Sequence, residues 1–109
     1  MKTKAEILVG YTTVPSVEIG REIAKFLVSE RLAACAQVSE SPVASYYIWK
    51  GEISEDREHV LCVKFSKTNA AQVEAAISRM HPYECPQWYA VEPSVVSQKY
   101  ASWAENTER

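Results

Sequence analysis

Leu32-Ala33-Ala34-Cys35-Ala36-Gln37-Val38-Ser39-Glu40-Ser41-Pro42-Val43-Ala44-Ser45-Tyr46-Tyr47-Ile48-Trp49, followed at once by Lys50-Gly51-Glu52, is the stretch that decides the fold. Residues 32–38 are apolar and small and read as the start of a strand. Ser39–Pro42 interrupts it, and proline inside a strand implies an edge or a bulge. The strand resumes at Ala44 and runs to Trp49, and Lys50-Gly51-Glu52 reads as a tight turn. The return strand is broken by the polar stretch Ser54 to Glu58. It is strong from His59 to Ser66, where Leu61, Val63 and Phe65 alternate with Val60, Cys62 and Lys64. Ala34 to Trp49, extended, would span roughly 50 Å. A compact domain of this length has a radius of gyration of about 13 Å. The hairpin should therefore overhang its own core. Its tip places Tyr46 and Ile48 on one face and Tyr47 and Trp49 on the other. Aromatics left open on both faces mark an interface.

Each flank of this hairpin supplies a strand and a helix. Glu6 to Thr12 reads as a first strand, with Ile7, Val9 and Tyr11 on one face and Leu8 on the other. A strand apolar on both faces is internal to its sheet. Ser16 can cap a helix running to about Arg31, with Ile19, Ile23, Phe26 and Leu27 on its apolar face. Asn69 is placed to cap a second helix, with Gln72 three residues on and Val73, Ala76, Ile77 and Met80 inward. Pro82 and Pro86 stop that helix, and Gln87 to Glu92 reads as a fourth strand. Pro93-Ser94 reads as the start of a short third helix carrying Val96, Tyr100 and Trp103 on one face, with Glu105 to Arg109 frayed. The class is α+β: a ferredoxin-like βαββαβ domain with a C-terminal helix. Both crossover helices should lie on one face of a four-stranded antiparallel sheet whose first and third strands are central.

The 109 residues suit a single domain, 1–109. A hydrophobic share of 47% with a net charge of −2 excludes disorder. Twelve Lys and Arg against fourteen Asp and Glu, without a basic run, give no nucleic-acid surface. No apolar run approaches the ~20 residues of a membrane helix. Residues 1–6 lack a signal-like apolar stretch, so a cytoplasmic location is expected. Cys35, Cys62 and Cys85 are odd in number and form no C-x-x-C, which suits free thiols in a reducing compartment. There is no Gly-rich phosphate loop, G-x-S-x-G or H-E-x-x-H, so no enzymatic activity is expected.

Several short motifs recur in a recognisable order. They are Tyr11-Thr12-Thr13, then Glu30-Arg31-Leu32-Ala33-Ala34-Cys35, then Tyr47-Ile48-Trp49-Lys50-Gly51, Lys64, and His81-Pro82-Tyr83-Glu84 with Pro86, with Tyr100 and Trp103 near the end. Over about residues 6 to 104 the chain resembles the CutA family of divalent-cation tolerance proteins. The resemblance implies a ferredoxin-like homotrimer, similar to the trimeric PII signalling proteins. Long strands would clasp neighbouring subunits, and a lateral cleft would be the suspected site for copper or another divalent cation. A closed ring would also remove the unpaired strand edges.

Cys35 matches a family motif, and a thiol suits Cu(I) and other soft metals; the plain alternative is a small buried strand residue. His81, Glu84 and Cys85 offer imidazole, carboxylate and thiol on one loop. His81 can equally bond free carbonyls at the helix end and complement the helix dipole. Cys85 is not part of the family pattern, and Cys62 reads as a core or interface filler. His59, beside Asp56-Arg57-Glu58, reads as solvated. Lys64, on a strand face with Val60 and Cys62, must reach water or pair with a carboxylate. By the resemblance its partner is Glu84, in a pocket between subunits that includes Trp49 and Tyr83. The candidate metal ligands are thus Cys35, His81 and Glu84, and the candidate ligand pocket is Trp49, Lys64, Tyr83 and Glu84. Two other readings stay open. One is a PII-like sensor that binds an anionic metabolite through Lys64 or a nearby arginine. The other is a structural trimer that anchors a partner protein.

Overall fold

In chain order the elements are β1 (Ile7–Val14), α1 (Val17–Ser29), β2 (Cys35–Val38), β3 (Val43–Trp49), β4 (Glu52–Ser66), a 3-10 turn (Lys67–Asn69), α2 (Ala70–Met80), β5 (Tyr89–Val91) and α3 (Gln98–Glu105). This computed structural model describes residues 6–106; the N-terminal residues 1–5 and the tail residues 107–109 lie outside the described residues. The sheet order is β2-β4-β1-β5, with β3 paired to β4, and every pairing is antiparallel. The two central strands, β4 and β1, are the expected third and first.

The sheet has five strands where the sequence reading gives four. The expected second strand is two, β2 and β3, both laid along β4. Val38 pairs with Leu61 and Val43 with Glu58, so residues 39–42 oppose only His59 and Val60. That surplus forms a bulge. Ser39 stitches it: its N–H donates to the Val60 carbonyl, and its hydroxyl accepts from the Val60 N–H. His59 Nδ1 donates to the Ser39 carbonyl at 2.8 Å, so this ring is half-buried and bonded, not solvated. The break expected at Ser54–Glu58 is absent, because β3 pairs along that whole segment.

Lys50 (φ 51°) and Gly51 (φ 81°) make the two-residue turn between β3 and β4, both in the left-handed region that such a turn demands. The hairpin stands out as the sequence implies. The long axis is 54 Å and the radius of gyration 15.1 Å, against about 13 Å for a compact chain of this length.

The core lies between one sheet face and two helices. Leu61, Val63 and Phe65 of β4 and Val14 of β1 pack against Ile23 and Leu27 of α1 and Val73, Ala76 and Ile77 of α2. Ser16 caps α1, accepting from the Ile19 N–H. At the other end, the Leu32 N–H reaches the Leu27 carbonyl and the Arg31 N–H the Val28 carbonyl, with Arg31 at φ 61°. This is the αL helix stop in which glycine is usual. Asn69 precedes α2 but its side chain does not cap it; Nδ2 donates instead to the Leu32 carbonyl at 3.2 Å.

The third helix starts four residues later than Pro93-Ser94, because the Ser97 hydroxyl supplies the cap by accepting from the Tyr100 N–H. Val96 therefore precedes the helix. The buried face is Ala101 and Ala104, with Ala104 against Ile7 and Ala34, and Tyr100 packs beside them. Trp103 stacks on Tyr100 with 46% of its surface exposed. β5 is held at the edge by Trp88, whose ring stacks on Phe65 and lies so close over Gly10 that a Cβ there would overlap the indole.

Candidate functional site

Two polar clusters are built on β4, one near the base of the hairpin and one four residues further on. The first is anchored by His81, the residue that ends α2. Only 7% of its surface is exposed. Its Nε2 lies 2.8 Å from the Thr13 carbonyl of β1, and the Tyr83 N–H donates to its Nδ1 at 3.2 Å. A carbonyl can only accept, so Nε2 carries the proton and Nδ1 the occupied lone pair: the ring is the neutral Nε2–H form. His81 does bond a carbonyl, though it belongs to β1 and not to its own helix.

Tyr83 packs its ring 4.7 Å from that of His81 and donates its hydroxyl to Glu58 Oε2 at 2.8 Å. Glu58 is 8% exposed. Burial first, then the Glu58 carboxylate, hold the Tyr83 phenol well above its ordinary value. On the same face of β4 and towards the tip, the Tyr47 hydroxyl donates to Asp56 Oδ2, and that bond raises the Tyr47 phenol too. Glu58 is the member of this cluster that sequence reasoning missed. It sits in the polar stretch that reads as a break in the strand, and its partner is 25 residues away.

The second cluster lies on the sheet face turned away from α1 and α2. Cys35 of β2 stands opposite Lys64, and Gln37 opposite Cys62. Lys64 Nζ donates to Gln37 Oε1 at 2.9 Å, so within one chain its partner is an amide and not Glu84. Across β1, Tyr11 stands opposite Cys62, and that thiol is the first cause of an upward shift of the Tyr11 phenol.

One chain brings some of the expected residues together and separates others. His81 and Tyr83 are in contact, and Cys35 and Lys64 face each other. Trp49, 60% exposed, pairs with Glu52, and Lys64 lies twelve positions further along the same unbroken strand, roughly 40 Å away. A pocket holding Trp49 and Lys64 therefore needs Trp49 from another chain. Thr13 pairs with Val60 and Cys35 with Lys64, which sets the His81 and Cys35 sites about 13 Å apart along β4. Glu84 and Cys85 are exposed. Among the described residues no three His, Cys, Asp or Glu side chains converge as a metal centre within the chain. No helix there is long and apolar enough to cross a membrane.

Comparison with known proteins agrees with this architecture. Residues 8–107 match the family model described as CutA1 divalent ion tolerance protein. A divalent-cation tolerance protein CutA of Thermus thermophilus is 40% identical over 96 residues, covering 87% of this chain and 92% of the relative. A chloroplastic CutA protein of Arabidopsis thaliana is 32% identical over 108 residues, 99% of this chain and 58% of that longer protein. The structure of the periplasmic divalent cation tolerance protein CutA of Archaeoglobus fulgidus superposes with a TM-score of 0.88 at 29% identity, covering 94% of this chain and 99% of that one. Sequence and architecture thus agree from β1 to the end of α3, and the chain belongs to the CutA1 divalent ion tolerance protein family.

Proposed function

We propose that this protein acts as a non-enzymatic homotrimer in divalent-cation tolerance, with copper as the cation class its thiols favour. The observation that carries the trimer is the hairpin. Tyr46, Ile48, Trp49 and Ile53 are all exposed large apolar side chains on a hairpin that extends a 54 Å long molecule. A second and third copy would cover them, supply Trp49 to the neighbour's Lys64 face, and pair the open edges of β2 and β5. Cys35 supports the metal reading, as a half-buried free thiol beside a lysine. The three free thiols support a reducing compartment such as the cytosol. Light scattering of the full chain at micromolar concentration should give the mass of three chains. Trp49→Ala should lower the melting temperature by an amount that grows on dilution, because dissociation and unfolding are then linked. A monomer by scattering, or a Trp49→Ala melting shift independent of protein concentration, would sink the reading.

A further inference from the structure

Cys62 lies outside the family motifs, yet the strand register gives it a partner. Ala36 and Val38 of β2 and Leu61 and Val63 of β4 pack in or against the helix-backed core. Alternation therefore turns Cys35, Gln37, Cys62 and Lys64 to the opposite face. Cys35 opposes Lys64 and Cys62 opposes Gln37, so the two cysteines are diagonal neighbours on adjacent strands. That relation sets their Cα atoms about 7–8 Å apart, with the side chains closer. Both thiols are free and half-buried.

The spacing selects the chemistry. A disulfide needs Cα atoms within roughly 7 Å and sulfurs about 2 Å apart, which a diagonal pair misses without backbone movement. A cation held between two thiolates needs sulfurs separated by about two metal–sulfur bonds, ~4.6 Å, which side-chain rotation can supply. With no third His, Cys, Asp or Glu converging among the described residues, an ion that demands four protein ligands is not served within the chain. A soft ion that favours thiolates is.

We infer that Cys35 and Cys62 form a two-thiolate site for a soft monovalent cation of the Cu(I) type on the open face of the sheet. The inference deepens the metal reading above and rests on it for Cys35. As each metal–sulfur bond forms, its thiol loses a proton to solvent; two protons leave, and no electron moves. The resulting bis-thiolate carries one negative charge. The Lys64 ammonium, which spans the other diagonal of the same four residues to reach Gln37, offsets it.

The test is titration of the full chain with Cu(I), under anaerobic reducing conditions, against a chromophoric Cu(I) chelator. Wild type and Cys85→Ser should take one ion per chain with equal affinity, and X-ray absorption should count two sulfur neighbours. Cys35→Ser and Cys62→Ser should each weaken binding by at least about a hundredfold, the loss expected when a two-point attachment becomes one-point. The double variant should be little worse than either. If Cys35→Ser loses binding while Cys62→Ser keeps it, the pair is overturned and a metal role for Cys35 survives. If both keep it, the pair and the Cys35 metal role fall together. Folding of the serine variants is bypassed by a second measurement on wild type. A short bifunctional thiol reagent should bridge Cys35 to Cys62 in the metal-free native protein, and peptide mapping that finds no such bridge overturns the juxtaposition.

Discussion

The two halves of β4 follow the same period-two geometry and meet opposite fates. In the half from Leu61 to Phe65, the inward residues Leu61, Val63 and Phe65 are sealed beneath α1 and α2. In the half from Glu52 to Glu58, Ile53 is 76% exposed, and β3 contributes Tyr46, Ile48 and Trp49 in the same condition. Backbone pairing runs the length of both halves, on two sides in the first, where β1 and β2 flank it, and on one side in the second, where β3 lines it. Hydrogen bonding alone therefore makes the strand, while burial depends on what a second layer provides. A hairpin without such a layer is marginal in water. The helix-backed half holds the buried core, and the other half leaves its large apolar side chains exposed.

The contrast breaks most visibly at Phe65. Phe65→Ala removes a fully buried ring from both the core and its stack on Trp88, and should cost about 3–5 kcal/mol in denaturant unfolding. A loss below ~1 kcal/mol would mean that the helix-backed half is not the core. Where the halves meet, His81→Ala leaves the Thr13 carbonyl and the Tyr83 N–H without their partner and should cost about 1–3 kcal/mol. An unchanged denaturation midpoint would show that water replaces the ring.

Tyr83→Phe sharpens the same junction by pH. The folded phenol titrates above the unfolded value of about 10. Its bound proton thus contributes stability that is whole below pH ~10 and is lost as pH rises through the higher folded value. Wild-type stability should fall with pH above about 10, and the phenylalanine variant should show a shallower fall over that window. Equal slopes would place the alkaline loss elsewhere. The smallest effect is expected at Arg21, whose exposed pair with Glu40 ties α1 to the bulge. Arg21→Ala should shift stability by less than about 0.5 kcal/mol, since exposed ion pairs contribute little. A larger loss would mean that surface charge, and not the Ser39 and His59 bonds, sets where the strand divides.

Much of the fold is legible because it is written in short-range pattern. The apolar spacing of Ile23 and Leu27 with the Ser16 cap, the alternation through Leu61, Val63 and Phe65, and the Lys50-Gly51 turn each occupy a few adjacent residues. The overhang followed from strand length alone, and the motifs placed the chain near its family. The misses are places where a side chain chose a distant partner over a near one. Asn69 bonds Leu32 instead of capping its helix, and His59 turns to Ser39 across the bulge. Ser97 outcompetes Pro93 as the start of α3, a local contest that proline alone did not decide.

The sequence by itself determined the order of helical and extended segments, that the central hairpin outgrows its core, and that its tip is apolar on both faces. These are matters of period and length, and period and length are local. Only the tertiary structure decided that His81 spends both nitrogens on Thr13 and Tyr83, that Glu58 is buried beneath Tyr83, and that Cys62 lies diagonal to Cys35. The His81 bond to Thr13 joins residues 68 apart, and the cysteine diagonal depends on a register fixed by packing against α1 and α2. A one-residue slip would turn either thiol to the other face.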